Sequence, residues 1–482
     1  MLKSFLKDSA TYTLPALISR GLSMILIPLY TRVLDPGDFG SLDLLLVFAA
    51  IVNLTVALEV SQGVARFFAA EADSDKKVGY ASSAFWFTFA CYSIFSLLML
   101  FLSPFVATFI MGQAGLELAF QVGIIYIWVN GLFYLVQNQF RWELRSKNYA
   151  IVSLVMAFVT AAVSIWLAYF QNWGLLGLLI GMVTGCLTAT ALGLWWLRTS
   201  FRFRFDTARL KEMLAFSTPL VFSGIAVWVS LYVDRMMINH LLSIEVVGLY
   251  GIGHRLASIA SLVMVGFQGA LTPLVYAHYQ NPDTPRQLER IFRLFLTFAL
   301  LVFLVLTLFA IDILALMTTP AFYGGAVVVI FLVPALLLSN MYIFSPGIGI
   351  AKKTHLIVWI NVGGGLLNVV LNYLLIPRMG ITGAGMATML SFLVIFSAYT
   401  VIGQRFYSIP HNWLKICAAV ALAGSLALLV PHVSQTATMR WVLSLVVLVM
   451  FLPALFVIGL IRRDELSAAW QHLQVRMSVT RA

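Results

Sequence analysis

Apolar runs of twenty or more residues follow one another along almost the whole chain, separated by short polar connections. A membrane-crossing helix needs about 20 mostly apolar residues. Fourteen such segments can be read, near 10–34, 39–64, 80–111, 117–140, 148–170, 174–197, 213–241, 245–276, 292–316, 324–350, 355–376, 380–403, 412–431 and 439–461. A soluble core does not require so many. Hydrophobic residues make up 61% of the 482 and charged residues 10%, against roughly 45–50% and 25% in soluble domains. The surplus is what a lipid-facing surface demands, and the pattern predicts an all-α polytopic membrane protein with about 14 transmembrane helices.

The basic residues set an orientation. With the N-terminus in the cytoplasm, 24 of the 30 Lys and Arg residues fall in segments on that side, as the positive-inside tendency requires. Both termini are therefore expected to be cytoplasmic. The formal net charge of +11 is explained by this asymmetry and by attraction to anionic lipid headgroups, so no nucleic-acid partner is expected. Lys3 and Lys7 precede the first apolar run. Arg20 interrupts that run and no small-residue cleavage site follows, so it reads as a membrane helix and not as a cleaved leader. Cys91, Cys186 and Cys417 each sit inside an apolar run, with no spacing that makes a disulfide framework or a zinc site. No connection is long enough to hold a soluble domain.

A weak internal repeat divides the chain. Lys147–Gly177 aligns without a gap on Lys353–Gly383, with six identical positions, among them Gly174/Gly380 and Gly177/Gly383. The turn at Asp38-Phe39-Gly40 is similarly echoed by Val246-Val247-Gly248. The offsets of 206 and 208 predict two parallel six-helix repeats. The expected organisation is residues 1–200 (helices 1–6), residues 201–408 (helices 7–12), and residues 409–482 holding two further helices and a cytoplasmic tail.

Charged residues within apolar runs are costly, roughly 2.5–3.5 kcal/mol at mid-helix on insertion scales, and so mark candidate sites. Arg20, Glu59, Asp234, Arg235, His254 and Arg255 are in this position. Arg235 and Arg255 lie nearer the outer ends of their helices, within reach of headgroups. Helical spacing gathers His254, Ser258, Ser261, Gln268 and Thr272 on one stripe, and Ser223, Ser230 and Asp234 on another. Three more stripes hold Thr55, Glu59, Gln62 and Arg66; Asn130, Gln137 and Arg141; and Asn361, Asn368 and Asn372. Any one stripe can serve as helix–helix glue; five together favour a shared hydrated cavity. Arg20 stands in its helix without an acidic residue. A guanidinium fork suits a phosphate anion, which it can bind through two parallel hydrogen bonds.

No Walker A, His-Glu-x-x-His, Gly-x-Ser-x-Gly or dinucleotide motif is found. Transport is therefore expected to draw on a gradient or on consumption of product, with no cofactor, metal or catalytic residue. Pro28-Leu29-Tyr30-Thr31-Arg32-Val33-Leu34-Asp35-Pro36-Gly37-Asp38-Phe39-Gly40, Ala65-Arg66-Phe67-Phe68, Phe216-Ser217-Thr218-Pro219-Leu220 and Leu271-Thr272-Pro273-Leu274-Val275-Tyr276 resemble the polysaccharide-transport branch of the multidrug/oligosaccharidyl-lipid/polysaccharide exporter superfamily. The chain is similar to O-antigen and exopolysaccharide repeat-unit flippases over nearly its whole length. The resemblance implies two six-helix lobes around a central cavity, working by alternating access. Its implied substrate is a lipid-linked oligosaccharide crossing a bacterial inner membrane, and its implied partners are membrane lipids and the polymerase or glycosyltransferases of the same pathway.

The substrate-binding candidates are then Arg20, Arg235, Arg255, His254, Gln268, Asn130 and Asn368, and the ion-coupling candidates Glu59 and Asp234. A cation-coupled drug exporter of the same superfamily, an integral-membrane glycosyltransferase or polymerase, and a membrane scaffold are the competing readings. Arg20 argues against the first, and the absence of a long outer loop with paired carboxylates against the second.

The orientation is directly testable. Single cysteines at residues 205 and 470 are expected to resist a membrane-impermeant thiol reagent in intact cells and to react after lysis; labelling of either from outside would reverse the topology.

Overall fold

The fold follows from the solvent that the apolar runs require. Hydrocarbon cannot hydrogen-bond to a peptide group, so a spanning segment must satisfy its own backbone, which a helix does. A computed structural model describes residue 21, residues 26–264, residues 267, 271 and 275, residues 279–434 and residues 436–460. Among these residues there is no strand. Among the described residues thirteen helices are long and apolar enough to cross a membrane, and they correspond to the second through fourteenth runs of the sequence. The first run, with Arg20, lies largely outside the described residues. Its end forms α1, Ile27–Val33.

The helices that follow are α2 (Pro36–Thr55), α3 (Val60–Ala70), α4 (Ser74–Phe101), α5 (Ser103–Met111), α6 (Glu117–Trp142), α7 (Ser146–Ser164), α8 (Gly174–Trp196), α9 (Thr207–Leu241) and α10 (Ile244–Ala257). After them come α11 (Thr284–Leu308), α12 (Ala310–Met317), α13 (Val329–Leu338), α14 (Thr354–Met379), α15 (Ile381–Gln404), α16 (Trp413–Val433) and α17 (Ala437–Ile458). Their starts are set by local chemistry. Asp35, with Pro36 behind it, caps α2 by accepting from the Asp38 N–H at 2.8 Å, and Asp206 caps α9 through the N–H groups of Ala208 and Arg209.

The described residues pack as two units. One takes in those up to Ile252 with Ala315–Gly325 and Asn361–Ala387; the other takes in Gly253–Leu314, Ala326–Ile360 and those from Thr388 onward. In the first unit, α7 and α8 meet along a ridge of glycines four residues apart. A Cβ on Gly181 would lie 2.6 Å from the Ser164 backbone nitrogen, and one on Gly185 would lie 2.7 Å from the Met156 carbonyl oxygen. Small residues at this spacing let two backbones approach where no hydrophobic force drives association. In the second unit, Arg440 of α17 holds Asp312 of α12, which also accepts from the Trp441 indole at 3.1 Å. In the connection before α16, burial pushes the His411 imidazole down to about 4, and the neutral ring packs against Phe292 and Trp413.

Backbone features recur at the repeat spacing. Gly174 and Gly380 both have positive φ, 52° and 61°, and so do Leu144 and Lys352, 56° and 58°. The first turns of α2 and α10 touch reciprocally. A Cβ on Gly40 would strike the Ile244 carbonyl oxygen, and one on Gly248 would strike that of Pro36. Gly40 and Gly248, like Pro36 and Ile244, are 208 residues apart, the offset of the repeated turn.

Several runs read as continuous are interrupted, among them the second, third and eighth. The second breaks between α2 and α3, where Leu58 and Glu59 are left-handed at φ 50° and 52°. The third divides at Leu102, ahead of Pro104, whose ring cannot donate to the helix ladder. The eighth passes from α10 into a 3-10 turn at Ser258–Ala260.

The α7–α8 contact leaves no room for a side chain at its glycines. Gly181→Leu is expected to destabilise the protein by about 1–3 kcal/mol through overpacking, seen as a lower melting temperature of the detergent-purified protein, whereas Gly424→Leu, in open space on α16, is expected to leave it unchanged.

Candidate functional site

The most heavily charged buried cluster in the first unit is built on α2, α9 and α10. Arg235 of α9, 3% exposed, donates from Nε to Asp43 Oδ2 of α2 at 2.8 Å and from Nη1 to Asp234 Oδ1 at 3.0 Å. Nη1 also reaches the Leu231 carbonyl at 3.1 Å. The Tyr250 hydroxyl of α10 donates a short hydrogen bond to Asp234 Oδ2. Gly251 lets α10 come close, since a Cβ there would lie 3.1 Å from Asp43 Oδ2. Asp43 and Gly251 stand one turn beyond the touching glycines Gly40 and Gly248. Buried charges persist when they are paired and hydrogen-bonded, and here two carboxylates share one guanidinium.

The asparagine stripe packs beside this cluster. A Cβ on Gly365 of α14 would lie 3.1 Å from Ser230 Oγ of α9, which sets Asn368 one turn along from that contact. Asn368 and Asn372 are fully buried, and Asn372 donates to the Asn368 carbonyl at 2.9 Å and to its Oδ1 at 3.0 Å. Its own Oδ1 has no partner.

A separate polar region surrounds the break between α2 and α3. Glu59 is half-buried; its Oε2 is buried without a hydrogen-bond partner, and Gln62 engages the carboxyl. The Tyr92 hydroxyl of α4 donates to Asn53 Oδ1 of α2 at 2.8 Å. Tyr134 of α6 lies near the same carboxyl and near Asn138, which accepts from Arg141 at 3.3 Å.

The base of the first unit, at the α3–α4–α9 end, is aromatic and basic. Phe67 stacks on Tyr80 and meets Phe216 edge-on, and the Arg66 guanidinium lies 5.4 Å above the Phe216 ring. The Tyr80 hydroxyl donates to Glu212 at 2.7 Å. Beside it, a groove of about 620 Å³ runs along one face of α9, lined by Leu210, Lys211, Leu214, Thr218, Pro219 and Phe222.

Of the residues singled out from the sequence, the fold joins Arg235 to Asp234 and sets Asn368 in their neighbourhood. Asn130 of α6 faces Cys186 of α8 at 3.8 Å. His254 and Arg255 are half-buried and belong to the second unit. Arg20 and Gln268 lie outside the described residues. Asp43, Tyr250, Asn53 and Tyr92 were not among the candidates. Among the described residues no group of three His, Cys, Asp or Glu side chains is placed to hold a metal ion.

A family model described as "Polysaccharide biosynthesis protein" matches residues 29–326. A search of curated protein sequences finds no match. Among solved structures, the chain is similar to the lipid II flippase MurJ in an inward closed conformation, with a TM-score of 0.70 and 14% identity, over 94% of this chain and 99% of that one. It is also similar to an inward-facing multidrug resistance MATE family transporter of the MOP superfamily, at 0.66 and 14%, over 83% and 95%. A third is a MOP superfamily transporter from Pyrococcus furiosus described as having a binding pocket of reversed polarity, at 0.59 and 14%, over 83% and 96%. At these identities the likeness establishes the fold.

The ion cluster makes a quantitative demand on its members. Arg235→Leu takes the guanidinium away from two buried carboxylates and is expected to cost about 3–5 kcal/mol, enough to deplete folded protein in the membrane. Adding Asp43→Leu to that variant removes one of the two carboxylates that lost the guanidinium and is expected to restore part of the loss. Fluorescence-detected gel filtration of the two variants checks this, and equal yields of both would mean that Asp43 and Arg235 are not coupled.

Proposed function

We propose, from the premise that the chain belongs to the polysaccharide biosynthesis protein family, that it is a flippase carrying a lipid-linked oligosaccharide across the bacterial inner membrane. The reading goes beyond the family and the fold, which are those of a multi-pass membrane protein built like MOP-superfamily transporters. The observation that carries it is the pairing of that family with arginines inside the apolar spans. A polyprenyl-pyrophosphate sugar has an anionic head, a polar chain and an apolar tail. Arginine suits the first, stripes of Asn, Gln and His the second, and an apolar groove with a lysine at its lip, such as that on α9, the third.

In this proposal the two repeats, residues 1–200 and 201–408, are lobes that alternate access to a cavity, with residues 409–482 added outside them. Arg20 takes the pyrophosphate first. Arg235, shared here between Asp43 and Asp234, is released to the anion only when the contact between α2, α9 and α10 opens. Arg255, His254, Gln268, Asn130 and Asn368 present hydrogen-bonding groups to the sugars. Glu59 and Asp234 couple the cycle to an ion, and no catalysis is involved. The termini are cytoplasmic, and a polymerase or glycosyltransferases of the same pathway act before and after the crossing. A drug exporter of the same fold would want a carboxylate where Arg20 stands.

Arg20→Ala is expected to abolish surface-polysaccharide production in a complementation assay while the protein accumulates normally. Arg20→Lys is expected to restore only part, because an ammonium cannot reproduce the two-pronged contact. Full production by Arg20→Ala at normal abundance would overturn Arg20 as the anion site and return the drug-exporter reading.

A further inference from the structure

The segment that joins α8 to α9 alternates aromatic and basic residues, Phe201-Arg202-Phe203-Arg204-Phe205, and runs outside any helix. Hydrogen bonds lace its backbone to α4. The Ser82 hydroxyl donates to the Ser200 carbonyl at 3.2 Å and accepts from the Arg202 N–H at 2.9 Å. The Trp86 indole donates to the Arg202 carbonyl at 3.0 Å, and Ser83 Oγ accepts from the Asp206 N–H at 2.8 Å. Rings add to the strapping. Phe201 stacks on Phe85 with 4.9 Å between centroids, and Phe203 meets Trp86 edge-on at 4.8 Å.

A backbone held this way presents its side chains in place. Phe203 is nonetheless 94% exposed and Phe205 52%, and rings fixed outward are unfavourable in water but not in lipid. Their depth suits lipid. Ser82, Ser83 and Trp86 stand five to nine residues past Lys77, the last charged residue of α4. At 1.5 Å per residue that is about 8–14 Å, the level where headgroups give way to hydrocarbon. Aromatic rings collect at that level, and arginine stems reach from it to the headgroups. The charge is one-sided. Residues 197–211 hold Arg198, Arg202, Arg204, Arg209 and Lys211 against a single acidic residue, Asp206, which caps α9 and lies 3.5 Å from Arg209. Arg202 and Arg204 are exposed. The contact of Arg204 with Asp75, at 3.5 Å, is between two exposed side chains, a pairing worth little and open to replacement by a phosphate.

We propose that the strap at residues 198–206 is a binding site for an anionic membrane phospholipid, with Arg202 and Arg204 on its phosphate and the Phe203 and Phe205 rings among its acyl chains. Charge complementarity names the occupant, since a zwitterionic lipid would gain from the rings but little from the guanidinium groups. The strap joins α8 to α9 and is bonded to α4, so an occupied site holds three helix ends together at the membrane surface. The inference is independent of what the protein carries.

The test is the melting temperature of the full-length purified protein in detergent micelles doped with phosphatidylglycerol or, at the same mole fraction, phosphatidylcholine. A ligand of the folded state raises melting by mass action. Wild type is expected to gain a few degrees more with phosphatidylglycerol than with phosphatidylcholine, and to lose most of that difference at high salt. Arg202→Gln with Arg204→Gln is expected to remove at least half of the difference, and Phe203→Ser to reduce it. Arg202→Gln alone supplies the comparison if the double variant does not fold. Arg286→Gln with Arg405→Gln, which takes the same charge from exposed positions elsewhere, is expected to keep the difference. Equal gains with the two lipids would overturn the site, and so would equal losses in the strap and control variants, which would reduce it to net charge. A gain from polyprenyl phosphate that needs Arg202 and Arg204, where phosphatidylglycerol gives none, would overturn it in favour of the carried lipid.

Discussion

The bilayer core offers no hydrogen bonds, and the architecture depends on that constraint. It makes every spanning segment a helix, because only a helix closes its peptide groups within itself. It replaces hydrophobic attraction between helices with close packing, which is why the glycines of α8 lie against the backbone of α7. It also makes every interior charge a commitment, since a charge without a partner cannot turn to water. The clusters at Arg235 and at Glu59 are two answers to the same constraint. One satisfies its charges internally; the other leaves a carboxyl oxygen unsatisfied.

The Arg235 cluster gains meaning from its position. It sits one turn past the reciprocal contact of Gly40 and Gly248, where the equivalent first turns of two repeated segments meet without side chains between them. A seam of glycines slides or separates more readily than interlocked branched side chains. The ion pairs across it then set how firmly α2, α9 and α10 are held. Two carboxylates share one guanidinium, and the Tyr250 hydroxyl donates to one of them.

Much of the fold was legible because the membrane writes it in composition. Thirteen apolar runs became thirteen spanning helices, and Asp35-Pro36 and Asp206 marked where two of them begin. The interruptions were less legible. Pro104 explains the division at Leu102, but the turn at Val56–Glu59 has no breaker residue and is imposed by packing, which a linear pattern does not encode. The candidate site was half legible. Asp234 and Arg235 stood out as charges in an apolar run; Asp43 was passed over. Depth was the signal that would have found it. Arg235 lies six residues from the end of α9 and Asp43 seven from the start of α2. At 1.5 Å per residue these depths from the helix ends differ by only about 1.5 Å, and a buried arginine requires such a carboxylate. Tyr92 and Asn53, on different helices, carry no such mark in the sequence.

The central claim is that this protein moves an anionic lipid-linked sugar from one leaflet to the other. Its most direct measurement is made in liposomes containing the purified protein and a polyprenyl-pyrophosphate oligosaccharide, with an impermeant lectin or glycosidase added outside. Flipping is predicted to expose the inner-leaflet half of the sugar to the probe at a rate that scales with protein content, while a lipid-linked sugar in protein-free vesicles stays protected. Protection of that half at every protein content, in vesicles whose protein is folded and correctly inserted, would contradict the account.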